Sequence, residues 1–337
     1  MIISKRNLLI LSVLVLLVII IIVALISCTP SGTESNVSKK PKVMVLVKAS
    51  GSKFWQTVFA GAKVAANEYN IDLQLSAPES EKDYEAQNKM MEKAIEDKVD
   101  AIVFSACDFD NSVEIAERAI DSGIPIIIID SQINTDKVLC TIGTNNVEAG
   151  RMAGRTLIEY MNGQAKVGVI NFEKGSANAM QREQGFIESL KGHNEMVITD
   201  IRYSFSNAES PRKATIDMLK DHPDINAIAA FNEWTTIGVA NAINELGLKD
   251  SITVVGFDNN PESIKMLEDG VIDALIVQNP FAMGYLGVQY AIQAIQNKNN
   301  FEDIDTGTVV INRENMYNIE NQKLLFPFSY SKDMKGN

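Results

Sequence analysis

From Pro41 onward the chain alternates short apolar runs with longer amphipathic windows. The runs are KVMVLVK from Lys42, IDLQLSA from Ile71, DAIVFSA from Asp100, IPIIIID from Ile124, AKVGVINF from Ala165, MVITDIRY from Met196, INAIAAF from Ile225, SITVVGF from Ser251 and DALIVQN from Asp273. Several are almost unbroken valine and isoleucine, the pattern of parallel strands buried on both faces. Between them lie windows with apolar residues three and four apart, such as FWQTVFAGAKVAANEY, AQNKMMEKAIED and EAGRMAGRTLIEYM. Each predicts an amphipathic helix.

Strand–helix alternation implies right-handed crossovers and an open sheet covered by helices on both faces. The runs are too many for one sheet of ordinary size. The expected fold is therefore α/β, with two doubly wound parallel-sheet lobes joined by a three-strand hinge. CTIGTNN reads as the first passage between lobes and VQNPF as the passage back, with a third near Asp305–Gly307. One lobe is expected over 42–144 plus 279–306 and the other over 145–278 plus 307–325, followed by a polar tail over 326–337.

The N-terminus breaks this pattern. MIISKRN is basic, and Leu8 to Ser27 is an uncharged apolar run, long enough to span a bilayer. It ends in Leu25-Ile26-Ser27-Cys28 and passes into a polar linker over 28–41. Branched apolar residues, a small residue and then cysteine resemble a bacterial lipoprotein signal over 1–27, with Cys28 lipidated. The other reading is an uncleaved anchor helix. Both place the remaining chain outside the cytoplasmic membrane, because Lys5 and Arg6 stay inside.

Composition removes several function classes. The 337 residues are 46% apolar and 22% charged, with a formal charge of −12 and no basic block. Nucleic acid is not an expected partner. Cys107 and Cys140 sit in or beside apolar runs, where a free cysteine is a small buried hydrophobe, although an exported protein also permits one disulfide. His193 and His222 have no cysteine or second histidine near them in sequence, so no metal, cofactor or serine–histidine pair is expected.

In open α/β sheets ligands collect at the carboxyl ends of the strands. Those ends here carry Lys48, Ser105, Asp130, Phe172, Asn232, Phe257, Asp258 and Gln278. Carboxylates accept hydrogen bonds from hydroxyls, amides donate and accept, and aromatic faces cover C–H surfaces. Such a set suits a polyhydroxylated ligand.

These residues and their order resemble the periplasmic sugar-binding proteins of type I fold, the ribose- and galactose-binding group that serves ABC importers. SGSKFWQTVFAGAKVAA is similar to that family's opening helix, GIPIIIIDSQ to the segment with a ligand aspartate, and GTNNVEAGRMAG to its first hinge. REQGF, FNEWTTIGVANAI, VVGFDNNPE and IVQNPFAMGYLGV follow in the family's order. The resemblance implies that Phe54 and Trp55 stack on a sugar ring. Asp130, Arg182, Asn232, Asp258 and Gln278 would bond its hydroxyls, with Ser52, Ser105, Thr144 and Phe257 as further contacts. Lys48 fits as a ligand donor or as the ion-pair partner of a site aspartate. Asp130 and Asp258 also fit as caps of the segments that follow them, and Arg182 as a solvated helix arginine. Ser131 stands where the ribose binder has a second arginine, and Glu173 where an apolar contact is expected. Pentoses, hexoses, polyols and related compounds all remain open as ligands.

The expected function is a lipid-anchored, monomeric, non-catalytic receptor that closes on a sugar or polyol and passes it to an ABC permease and its ATPase. A receptor presenting the same sugar to a sensor kinase or chemoreceptor uses identical binding chemistry. A repressor of this fold would need an N-terminal helix-turn-helix where the export segment stands. A glycoside hydrolase using Asp130 and Asp258 is conceivable by carboxylate count, but the surrounding amides favour holding over cleaving.

Overall fold

The computed structural model describes residues 5–27 and 40–327. It divides into two units, Met1–Lys40 and Pro41–Asn337. The first contains α1 (Lys5–Ser27), whose side chains from Val13 to Ile22 are apolar and exposed. Cys28, most of the linker over 28–41 and most of the tail over 326–337 lie outside the described residues.

The second unit runs β1 (Lys42–Leu46), α2 (Lys53–Glu68), β2 (Asp72–Ser76), α3 (Tyr84–Glu96), β3 (Ala101–Phe104), α4 (Val113–Asp121), β4 (Ile126–Ile129) and β5 (Thr141–Gly143). It continues α5 (Asn146–Tyr160), β6 (Ala165–Asn171), α6 (Ala177–Ser189), β7 (Met196–Tyr203), α7 (Glu209–Asp221), β8 (Ala227–Ala230), α8 (Glu233–Leu246), β9 (Thr253–Phe257), α9 (Pro261–Glu268) and β10 (Ala274–Val277). The last elements are α10 (Pro280–Ile295), β11 (Ile304–Asp305), β12 (Val309–Asn312) and α11 (Ile319–Leu325).

The strands form two six-stranded sheets, ordered β2-β1-β3-β4-β5-β11 and β7-β6-β8-β9-β10-β12. Both repeat one topology, in which the first strand lies between the second and the third. Pairing is parallel except where β12 runs antiparallel to β10. The chain passes from the first sheet to the second between β5 and α5, returns between β10 and α10, and passes again between β11 and β12. The quoted runs anticipate every strand but β5, β11 and β12; β5 and β11, of three and two residues, are too short to give a periodic signal of their own.

Val43, Val45, Val103, Ile127 and Ile129 face α2 and α10, while Met44, Leu46, Ile102, Ile126 and Ile128 face α3 and α4. In the second lobe α5 and α6 cover one face of the sheet, and α7, α8 and α9 the other. Alternate residues of one strand feed opposite cores, which is why these strands lack a polar face.

In each lobe one pair of helices crosses through glycines on both partners. A Cβ on Gly61 of α2 would stand 2.1 Å from Phe281 O of α10, and one on Gly284 of α10 would stand 1.9 Å from Val58 O of α2. The same reciprocal contact joins α5 to α6: Gly150 against Arg182 O at 2.1 Å and Gly185 against Val147 O at 1.9 Å. The helix entering after each crossing, α10 or α5, thus fixes α2 in one lobe and α6 in the other, and these carry Phe54, Trp55 and Arg182. Gly284→Ala forces α10 away from α2, so we expect it to lower unfolding stability by about 1–3 kcal/mol. Urea denaturation checks this; an unchanged midpoint would contradict the crossing.

Candidate functional site

The carboxyl ends of both sheets meet in one cleft. Asp130 directly follows β4 and Asp258 directly follows β9, equivalent strands in the two sheet orders. Both adopt left-handed backbone, with φ of +57° and +66°. This conformation is uncommon outside glycine and costs on the order of 1–3 kcal/mol. Its recurrence at equivalent positions marks a shared device that turns each carboxylate out of its strand.

The local sequence supports those turns. The N–H of Asp130 still reaches Ile142 O, and Ser131 N–H bonds back to Ile129 O at 2.6 Å. Beyond the last β8–β9 pair, Ala229↔Val255, Thr236 of α8 takes over. Its Oγ1 accepts from Phe257 N at 2.8 Å and donates to Phe257 O at 2.9 Å. Gly256 makes room, since a Cβ there would stand 2.4 Å from Thr236 Cγ2.

Arg182 lies between the aspartates and is only 1% exposed. It donates to Asn146 Oδ1 at 2.9 Å, Phe231 O at 2.7 Å and Gln278 Oε1 at 2.9 Å. Its guanidinium carbon is 4.7 Å from the Phe257 ring centre. Asp130 is 4.0 Å away, too far for a hydrogen bond. Burial draws the arginine below its usual pKa, opposed by the charges of Asp258 and Asp130.

Both aspartates are held by neutral donors. Asp258 accepts from Gln278 Nε2 at 2.6 Å and from Glu233 N–H at 2.9 Å. Burial pushes its carboxyl up to about 7 in spite of Arg182. Asp130 accepts from Asn178 Nδ2 at 3.0 Å and Ser105 Oγ at 3.3 Å. Burial raises it too, against the charges of Lys48 and Arg182.

Lys48 is an ion-pair partner, though of Glu81 at 3.2 Å rather than of an aspartate. It also donates to Ser176 Oγ at 2.7 Å. Burial lowers its pKa, but the charges of Glu81, Asp130 and Glu173 outweigh this and leave it raised. Glu81 accepts in addition from Trp55 Nε1 at 2.9 Å, which orients the indole. The Phe54 and Trp55 rings stand edge to face at 86° with centres 4.9 Å apart. Only one of them can therefore lie flat on a ligand ring.

Lys48, Ser52, Phe54, Trp55, Asp130, Arg182, Asn232, Asp258 and Gln278 all line this cleft. Ser105, Thr144 and Phe257 stand behind it. Ser105 supports Asp130, Thr144 donates to Gln278 Oε1 at 2.8 Å, and Phe257 faces Arg182. Asn232 also caps α8, its Oδ1 accepting from Thr235 N–H, so the amide nitrogen is what it offers the cleft. The lining adds Glu81, Phe172, Asn178, Glu233 and Trp234. For Glu233 and Trp234 the available signal was their place beside Asn232 in FNEW. Glu81 and Asn178 sit in polar loop or helix-start sequence and gave none.

The lobes are shut on one another. Lys48 to Ser176, Asn178 to Asp130 and Ser52 to Glu233 all join residues of different sheets' lobes, as does Phe109 N–H to Gly175 O at 2.8 Å. The remaining cavity is about 20 Å³, room for roughly one water. A ring entering it must exchange several of these polar bonds for its own. Glu173 lies behind the lining, accepting from Ser206 N–H and Oγ at 2.8 Å each. Cys107 and Cys140 are buried free thiols.

A sequence model described as a periplasmic binding protein domain matches residues 43–299. The chain belongs to the periplasmic binding protein domain family. Its relatives in that family are sugar-binding transport proteins rather than enzymes. A D-ribose/D-allose-binding protein of Pseudomonas aeruginosa is 26% identical over 273 residues, covering 79% of this chain and 85% of that protein. A carbohydrate transporter solute-binding protein of Agrobacterium radiobacter, solved with D-arabinose, superposes with a TM-score of 0.82 at 27% identity, covering 85% of this chain and 99% of that one. An ABC transporter solute-binding protein of Agrobacterium vitis, solved with D-fucose, gives 0.82 at 30% identity, covering 84% and 99%.

The raised Asp258 carboxyl sets a pH dependence. Folded protein keeps a proton there that the unfolded chain releases, between the ordinary 3.8 and about 7. Across that window stability falls as pH rises, by at most about 1.4 kcal/mol per pH unit for one group, and levels off above it. The thermal midpoint of the protein, referred to Asp258→Asn at each pH, should therefore drop from acid to neutral pH. A flat or rising difference would contradict the buried, protonatable carboxylate.

Proposed function

We propose that this protein is an extracytoplasmic, lipid-anchored receptor that captures a pentose, hexose or related polyol between its two lobes and delivers it to an ABC importer. The observation that carries the reading is the pair of left-handed aspartates, Asp130 and Asp258, converging from the two sheets on Arg182 and beside Phe54 and Trp55. Hydroxyls of a sugar are donors to carboxylates and acceptors from guanidinium and amide, and its C–H face suits an aromatic ring. Lys48, Asn232 and Gln278 complete the polar set, with Ser105, Thr144 and Phe257 supporting it from behind. Ligand bonded to both lobes favours the shut form by its differential affinity.

Family membership supports delivery to a permease and ATPase, and Cys28 at the end of its apolar run supports the lipid anchor. A diacylated cysteine supplies the two chains that stable anchoring requires. Metabolic labelling with fatty acid tests this part. Cys28→Ser should move the protein out of the lipid-modified form and abolish incorporation of labelled fatty acid; unchanged labelling would contradict the anchor.

The ligand is tested by thermal shift on the full chain in detergent, with D-arabinose and D-fucose first and then other pentoses, hexoses, polyols and inositols. A ligand at a hundredfold excess over its Kd adds about 2.7 kcal/mol, a rise of several degrees in midpoint. Asp258→Ala should abolish that rise. No shift with any member of the panel would overturn the sugar-receptor reading.

A further inference from the structure

Glu233 makes the most heavily bonded carboxylate contact between the lobes. It is the first residue of α8, in the second lobe, and is 5% exposed. Its carboxylate meets the start of α2, in the first lobe. The first N–H groups of a helix have no partner within it, and that end carries partial positive charge. Glu233 accepts there from Ser52 Oγ at 2.6 Å, Lys53 N–H at 3.2 Å and Phe54 N–H at 3.1 Å. Asn260 Nδ2, capping α9 in Glu233's own lobe, adds a fourth bond at 3.2 Å.

The donors distinguish this contact from the side-chain pairs that join the lobes across the cleft. Lys48 to Ser176 and Asn178 to Asp130 join side chains that an entering ring can displace and replace. The N–H groups of Lys53 and Phe54 are fixed by α2, which is itself locked to α10 through Gly61 and Gly284. The N–H of Glu233 in turn holds Asp258 Oδ2 at 2.9 Å. One residue thus ties an aspartate of the candidate site to the helix that carries Phe54 and Trp55.

We propose that Glu233 is a positioning residue that latches the lobes shut, giving the closed form stability of its own before any ligand bonds are counted. Ligand then adds to a latch already made, and the aromatic edge of the cleft is set against Asp258 by the same carboxylate. The proposal rests on the reading of a hinged two-lobe receptor but not on which sugar it takes. Charge-assisted bonds are about twice as strong as neutral ones, so glutamine at this position should latch weakly and alanine not at all.

The test is the distribution of distances between spin labels on Glu96→Cys in α3 and Lys220→Cys in α7, both exposed sites. It uses the full chain with Cys28→Ser and no added sugar; the buried Cys107 and Cys140 stay unlabelled. The expected result is a populated short distance with native Glu233. That population should fall about tenfold or more in Glu233→Ala and by less in Glu233→Gln, with the circular dichroism of all three unchanged. Adding D-arabinose, D-fucose or whichever sugar shifts the thermal midpoint should restore the short distance in Glu233→Ala. Two distances in the same proportion for all three proteins would overturn the latch and leave the receptor standing. One distance in every protein, with or without sugar, would overturn the hinged receptor as well.

Discussion

A guanidinium removed from water is the constraint around which this cleft is organised. Arg182 is costly to bury unless its donors are used, and it spends them on Asn146, Phe231 and Gln278. Those three residues stand at the start of α5, the end of β8 and the end of β10. The arginine therefore ties together three strand or helix ends of one lobe while presenting its charge to Asp130 of the other. Breaking a buried charged contact of this kind by removing one partner typically costs about 3–5 kcal/mol. The left-handed turns at Asp130 and Asp258 persist because their surroundings, including Thr236, Gln278 and Asn178, over-determine them.

The chemistry of capture follows from neutral partners around charged groups. Among the described residues no cation hydrogen-bonds either aspartate, so each retains acceptor capacity for hydroxyls, while Arg182 between them acts on both through its charge. Charge-assisted bonds contribute about 1.5–3 kcal/mol each. A few of them, less those exchanged on entry and the cost of ordering, reach the roughly −8 kcal/mol of micromolar binding. Lys48, Glu81 and Trp55 form a second unit, in which the ion pair fixes the indole.

Strand runs, crossovers and the order of the lobes were legible because two-sided burial leaves a continuous apolar signature. Asp130 and Asp258 were legible because a charge directly after such a run is unusual, and Arg182 through family resemblance. The lobe-to-lobe polar partners were not. Glu233 in a first helical turn looks like ordinary dipole compensation, and its partners Ser52 to Phe54 lie far away in sequence. Glu81 looks like one more acid in a solvated loop. Ser52 reads as a ligand hydroxyl, yet it caps α2 and donates to Glu233. Sequence indicates which residues reach a strand end, whereas which of them pair across a cleft depends on how two lobes meet.

The most direct test is a crystal structure of the protein with the sugar that gives the largest thermal shift. The account predicts a ring held between the lobes, its hydroxyls bonded to Asp130 and Asp258, with Phe54 or Trp55 flat against one face. A sugar bound elsewhere, or touching only one lobe and neither aspartate, would contradict it.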